Sequence, residues 1–334
     1  MVEMLYRCNI LALVGGGHSP KFVANKVIIW DDHQTKIIGE FKFTTPVKNV
    51  KLRKDKIFVI LEQKIFVFDM DCFKQLDTIN TFENPNGIFA INTDPKVTVI
   101  AYPSDIEVNG DKSVGYVRIK SYENNTNTLI SAHQSKIAFL ALNHDGSLLA
   151  TASEKGTIIR IFETTFGNIL QEVRRGRDKA IIYHICFNHN SVFLAATSNK
   201  GTVHVWSLKA CLKKLNNEVH EGKQSQNTVL SSVEDYSEQY PENKSSVFKS
   251  LPTFLSSGFF KSEWSFARVR IDNSAKSICM FTEDNYLMVV TQSGWYYKAK
   301  IDLVKGGDCE IEQKENLSNS KRNGQESGID NNEE

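Results

Sequence analysis

One stretch of this chain repeats itself. Leu142-Asn143-His144-Asp145, with Ser147-Leu148-Leu149-Ala150 behind it, returns as Phe187-Asn188-His189-Asn190 and then Ser191-Val192-Phe193-Leu194-Ala195. Thr151-Ala152-Ser153 and Gly156-Thr157 return as Ala196-Thr197-Ser198 and Gly201-Thr202, so that Ala150 and Ala195 stand 45 residues apart. Repeats of roughly 40–45 residues are those of WD-type blades, each a four-stranded sheet that buries its apolar faces only against neighbours. Four more blade-like endings are runs rich in β-branched and aromatic residues: Val27-Ile28-Ile29-Trp30, Ile65-Phe66-Val67-Phe68, Tyr116-Val117-Arg118-Ile119 and Trp295-Tyr296-Tyr297. Asn86-Gly87, Asn109-Gly110 and Asp145-Gly146 supply turns between short strand-like runs, and long helical periodicity is scarce. The expected fold is all-β, a WD40-type β-propeller with about six blades present.

Composition bounds the partners. No apolar run approaches the roughly 20 residues of a membrane helix, so membrane contact is expected to be peripheral. Met1 to Gly17 lacks a basic segment before its apolar stretch and reads as an opening strand rather than a signal peptide. Cys8, Cys72, Cys186, Cys211, Cys279 and Cys309 are scattered with no CxxC pair, which points to reduced core thiols and no metal site. The net charge of +1 conceals a tail, residues 305–334, with eight acidic and four basic groups, leaving about +5 on the remainder. That tail is nearly free of large apolar groups and is expected to be disordered. The propeller is therefore expected over 1–304, interrupted by a polar insertion at 210–262 that is too long for an ordinary connection.

Between the two clear repeats lies Val173-Arg174-Arg175-Gly176-Arg177. Neighbouring side chains of an extended segment point to opposite faces, so consecutive arginines suit two separate anion sites better than one. Guanidinium donates paired hydrogen bonds to phosphate oxygens and stays charged at any relevant pH. On charge alone a solvated basic turn, paired with Glu172 and Asp178, explains the motif as well. The flanking repeats tip the balance. His133, Ser135, Thr151, Ser153, Thr157 and Arg160 precede the arginines, and Thr197, Ser198, Thr202 and His204 follow them. Short donors and acceptors near strand ends are what a phosphorylated inositol ring asks for.

With these residues the chain resembles the PROPPIN family, seven-bladed propellers that bind polyphosphoinositides in autophagy and endosomal traffic. The family's hallmark, Phe or Leu before Arg-Arg-Gly, is here Val173-Arg174-Arg175-Gly176. Val173 departs from it but is apolar and expected to pack inward. Likeness continues through Leu13-Val14-Gly15-Gly16-Gly17, Asn25-Lys26-Val27 to Trp30-Asp31-Asp32, Ala101-Tyr102-Pro103, Ser131-Ala132-His133 and Ile159-Arg160-Ile161-Phe162, covering roughly residues 3–302. The resemblance implies a first lipid site of Arg174 with His133, Ser135, Thr151, Ser153, Thr157 and Arg160. A second would hold Arg175, Ser198, Thr202 and His204. It also implies that the first of seven blades is lacking.

Within the insertion, Phe248, Leu251, Leu255 and Phe259 are spaced as one stripe of a helix, with Phe254 and Phe260 beside them. Residues 246–260 are expected to enter a membrane interface, and residues 264–271 to begin the next core strand. Gly15-Gly16-Gly17 lacks the following Lys-Ser or Lys-Thr of a P-loop, and no catalytic constellation or cofactor motif is assembled. Near-neutral charge argues against nucleic acid. The expectation is a non-enzymatic effector of phosphatidylinositol 3-phosphate and phosphatidylinositol 3,5-bisphosphate. It would be cytoplasmic and peripheral on autophagosome-precursor, endosomal or vacuolar/lysosomal membranes, recruiting a lipid-transfer or conjugation-machinery protein of autophagy. The alternative is a WD-repeat protein-interaction scaffold without lipid binding.

Overall fold

The two copies of the repeat fold into matching strands. β15 (Ile137–Leu142) and β16 (Leu148–Ser153) recur 45 residues later as β19 (Ile182–Phe187) and β20 (Phe193–Ser198). β16 and β20 are buried along their whole length, and the small residues at their centres, Ala150, Ala152, Ala195 and Ala196, leave room for the strands on either side. The computed structural model describes residues 1–104, 106–108, 111–220, 241–244, 262–272 and 275–318.

Six blade-like sheets account for nearly all of the described strands. The first runs in chain order through β1 (Val2–Met4), β2 (Ile10–Val14), β3 (Lys26–Asp31) and β4 (Lys36–Lys42). The second does the same through β5 (Asn49–Leu52), β6 (Lys56–Ile60), β7 (Lys64–Asp69) and β8 (Gln75–Asn80). The third orders β9 (Ala90–Ile91), β10 (Val99–Pro103), β13 (Tyr116–Ser121) and β14 (Thr126–Ser131), with a ribbon of β11 (Ile106–Val108) and β12 (Asp111–Ser113) between β10 and β13. The fourth continues from β15 and β16 to β17 (Ile158–Glu163), β18 (Ile169–Arg174) and β22 (Glu263–Trp264). The fifth follows β19 and β20 with β21 (Thr202–Ser207), β23 (Ala267–Arg270) and β27 (Gly307–Asp308). The sixth is β24 (Ser277–Phe281), β25 (Tyr286–Thr291), β26 (Trp295–Lys300) and β28 (Glu310–Asn316).

The chain divides into two compact units, Met1–Leu149 with Thr164–Gly167 and Ala150–Glu163 with Asn168–Glu334. In the first, Val27, Ile29, Val50, Ile57 and Val59 share one core cluster, and Phe58, Ile60, Val67 and Ile100 another. In the second, Val203, Val205, Val269, Leu287, Val289 and Tyr297 pack together. These residues alternate along their strands, as a sheet with one face against a neighbour requires.

One boundary read from composition is corrected, and the insertion gains a packed start. Residues 305–334 were expected to be disordered, yet β27 pairs in parallel with β23 and β28 pairs with β26 from Trp295↔Asn316 to Lys300↔Glu310. β28 is polar because it is an exposed edge strand held by backbone bonds, and Lys314 lies over the Trp295 ring at 5.1 Å. Residues 319–334 lie outside the described residues. The 210–262 insertion opens with the helix α1 (Lys209–His220), whose Cys211 and Leu215 are buried and whose Cys211 N–H donates to Gln171 Oε1 at 3.2 Å. Near its end, Asn243 exchanges hydrogen bonds with the main chain of Ser207 at 2.6 and 2.8 Å. Phe248, Leu251, Phe254, Leu255, Phe259 and Phe260 lie outside the described residues. Among the described residues no helix is long and apolar enough to cross a membrane.

Candidate anion-binding site

The arginine pair sits where β18 leaves its sheet. β17 and β18 pair Ile159 with Val173, Arg160 with Glu172 and Ile158 with Arg174. Val173 is wholly buried, as its apolar character requires. On the other face Arg160 Nε donates to Glu172 Oε2 at 2.9 Å, and Arg174, two residues further on, shares that carboxylate's field. Arg174 Nε donates to Ser262 Oγ at 2.8 Å, where the chain returns from the insertion to form β22 alongside β18.

Arg175 turns elsewhere. Its N–H still reaches Thr157 O at 2.9 Å, but its side chain donates to the main-chain oxygens of Gly156, at 3.0 Å, and Asp178. Gly156 is required here: it has φ +60°, and a Cβ would stand 1.9 Å from Ala180 O. Both arginines are buried, at 4% and 6% exposure. Burial draws the pKa of each downward, against the pull of Glu172 on Arg174 and of Asp178 on Arg175.

Beyond Arg175 the fifth sheet presents β21 against β23. Thr202 is opposite Arg270 and His204 opposite Arg268. His204 Nδ1 is 3.1 Å from Ser265 Oγ, and its ring stacks on Trp206 with centroids 5.7 Å apart. Burial, with the charges of Arg175 and Arg268, pushes its pKa down to about 4, so the imidazole is neutral at cellular pH. Arg268 and Arg270 are themselves paired to Asp308 of β27, at 3.1 and 3.4 Å. Ser198 is 2% exposed and its hydroxyl has no hydrogen-bond partner among the described residues.

The sets implied by resemblance are thus distributed unevenly. Arg175, Thr202 and His204 belong to one electropositive neighbourhood of hydroxyl, imidazole and guanidinium groups, and Ser198 precedes it at the end of β20. Arg160 and Arg174 share Glu172. Thr151 donates to Arg160 O at 3.4 Å within the sheet, and Ser153 and Thr157 offer main-chain oxygens to Gly156 and Arg175. His133 and Ser135 belong to the first unit, where the N–H of His133 donates to Gly115 O at 2.9 Å and the backbone of both closes over that glycine. Arg268, Arg270, Ser262 and Ser265 were missed. The pairing of β21 with β23, some sixty residues further along the chain, brings in Arg268, Arg270 and the neighbouring Ser265, and that of β18 with β22 brings in Ser262; no local pattern carries either signal. A groove of about 710 Å³ in the first unit, flanked by Phe43, Phe66, Lys42 and Lys64, includes none of the predicted site residues.

Comparison with known proteins follows the same lines. The family model PROPPIN matches residues 1–317. Autophagy-related protein 18e of Arabidopsis thaliana is 33% identical over 317 residues, covering 94% of this chain and 75% of that protein. SVP1-like protein 2 of Debaryomyces hansenii is 33% identical over 303 residues, covering 80% of this chain and 66% of that protein. In the solved complex of KlAtg21 with the coiled-coil of AgAtg16, the matching chain shares 22% identity and a TM-score of 0.70 over 95% of this chain and 84% of that one, which is a likeness of fold. Six blade-like sheets, a match along 1–317 and autophagy-related relatives agree, and the chain belongs to the PROPPIN family of β-propeller proteins.

Proposed function

We propose that this chain is a non-enzymatic membrane effector that binds the phosphorylated inositol headgroups of phosphatidylinositol 3-phosphate and phosphatidylinositol 3,5-bisphosphate and recruits autophagy machinery. The observation that carries the reading is His204, held neutral near Arg175 and Arg268 with Thr202 and Ser265 adjoining. Burial first, and then the charges of Arg175 and Arg268, draw this imidazole's pKa down, so an anion arriving here meets two guanidiniums beside a neutral ring. A phosphate monoester suits those guanidiniums, and hydroxyls and a neutral imidazole supply hydrogen bonds to the inositol. Arg174, beside Arg160 and Glu172, is the guanidinium of the other site. The apolar stripe of Phe248, Leu251, Phe254, Leu255, Phe259 and Phe260 adds interfacial contact, so that weak sites act together at the cytosolic face of an autophagosome-precursor, endosomal or vacuolar membrane. The partner recruited is a lipid-transfer or conjugation protein of autophagosome formation.

The competing reading, a WD-repeat interaction scaffold without lipid binding, draws on the deep burial of both arginines, which gives them interior bonds of their own. Flotation with liposomes containing or lacking phosphatidylinositol 3-phosphate separates the two. Binding that requires the lipid and is lost in Arg174→Thr/Arg175→Thr, in a double variant with a cooperative melt, supports the proposal. Lipid-independent behaviour of a folded wild-type chain overturns it.

A further inference from the structure

Two adjacent sheets of the second unit bring one imidazole and two thiols together. His184 and Cys186 are two residues apart on β19 and so share a face, and Cys279 lies at the centre of β24. The ladder between β19 and β20 shifts register between Ile182 and His184, and this bulge fixes the face from which His184 emerges. Cys186 Sγ is 3.6 Å from Cys279 Sγ, which is 3.8 Å from His184 Nδ1. All three ligand atoms lie within 4.8 Å of one another. The main-chain N–H of Cys279 donates to the same Nδ1 at 3.4 Å, a long bond that a metal ion bound through this nitrogen would replace. Cys279 is 2% exposed, and His184 and Cys186 are half-buried.

These separations discriminate between fates for the thiols. With metal–sulfur bonds of about 2.3 Å and metal–nitrogen bonds of about 2.0 Å, neighbouring ligands of a tetrahedral zinc ion stand roughly 3.5–3.8 Å apart. The observed edges of 3.6 and 3.8 Å already have that size. A disulfide needs its sulfurs at about 2.05 Å, well inside their present separation, and gives the imidazole nothing to do. Thiol and imidazole are also the ligand types that select thiophilic ions over hard cations.

We propose that His184, Cys186 and Cys279 form a binding site for a thiophilic metal ion of the zinc class, with three protein ligands and a fourth position left to water or another donor. The ion would join β19 to β24, tying the fifth sheet to the sixth. None of the three residues belongs to the anion site.

The test uses the tag-free full chain, reduced and stripped with chelator, and titrates it with Cd²⁺. Thiolate-to-cadmium absorbance should saturate at one equivalent and disappear on competition with Zn²⁺. Cys186→Ser and Cys279→Ser should each lose the band. His184→Ala should keep a band with affinity lowered by more than about tenfold, since losing even an outer partner of a ligand commonly costs roughly 10–100-fold. Cys72→Ser, at an exposed thiol, should titrate as the wild type. Should a serine variant fail to fold, alkylation mapping of the wild type serves instead, with Zn²⁺ protecting Cys186 and Cys279 but not Cys72. The proposal is overturned by a wild type without the band, by an unchanged band in Cys279→Ser, by protection that ignores zinc, or by a Cys186–Cys279 disulfide that excludes the metal.

Discussion

Arg174 donates to a serine hydroxyl, while Arg175, one position on, donates to the main-chain oxygens of Gly156 and Asp178. Replacing either with Thr removes a charge-assisted contact worth about 1.5–3 kcal/mol, so each single change should weaken liposome binding in part and the double change should abolish it. The same substitutions have a structural cost. Thr at 175 leaves the buried Gly156 carbonyl without the Arg175 donor and should lower stability by about 1–3 kcal/mol, read as a lower denaturation midpoint, so flotation belongs well below the melt. His204 gives the second residue-level prediction. Its folded pKa of about 4 lies below the ordinary histidine value, so as pH falls the unfolded chain takes up the proton first. Stability from this group is complete above about pH 6.5 and declines toward about pH 4, by at most about 3 kcal/mol. His204→Gln should flatten that part of the profile in denaturant titrations. A bound headgroup should raise the pKa, seen in the imidazole NMR resonances.

The elements that sequence foretold are those whose stability comes from burial. β15, β16, β19 and β20 carry the 45-residue repeat because their inward residues must satisfy the same packing twice. β28 went unread because its residues are exposed and its stability lies in ladder bonds, which any side chain permits. β22 and β27 are two residues each and are defined by parallel pairing with distant strands, so no periodicity can announce them. Removing residues 305–334 therefore strips two paired strands as well as the acidic end. The truncated chain should melt several degrees lower and aggregate more readily than the full chain, through the bared edges of β23 and β26. The insertion answers a different test. Phe254→Ser/Phe259→Ser/Phe260→Ser should reduce liposome binding without moving the melting temperature, because apolar contact with the bilayer is lost and the sheets are untouched. A triple variant that unfolds would assign those residues to the interior.

For the whole molecule, the two-site reading fixes a stoichiometry. Titration with short-chain phosphatidylinositol 3-phosphate should give two equivalents for the wild type and one for Arg174→Thr or Arg175→Thr. Residues 1–304 carry only about +5, so added salt should slow recruitment modestly while leaving the half-buried contacts near His204 in place. The candidate site was legible in sequence as a list of residue types around Arg174 and Arg175. Its basic wall, Arg268 and Arg270, and the gathering of Cys186 with Cys279 across 93 residues both depend on which strand lies beside which. Ser262 lies at the meeting of these scales. It is the first described residue after the aromatic stripe, and its hydroxyl holds the Arg174 guanidinium before the chain enters β22. On the proposed reading, a lipid phosphate that draws Arg174 away would remove its bond to Ser262 Oγ, at the start of the polypeptide leading back to Phe259 and Phe260. Conversely, a bilayer that captures those phenylalanines changes the hold on Arg174. By thermodynamic reciprocity each event alters the affinity of the other by the same factor. If the proposed reading holds, headgroup recognition and interfacial insertion form one linked equilibrium, and Ser262→Ala should uncouple them.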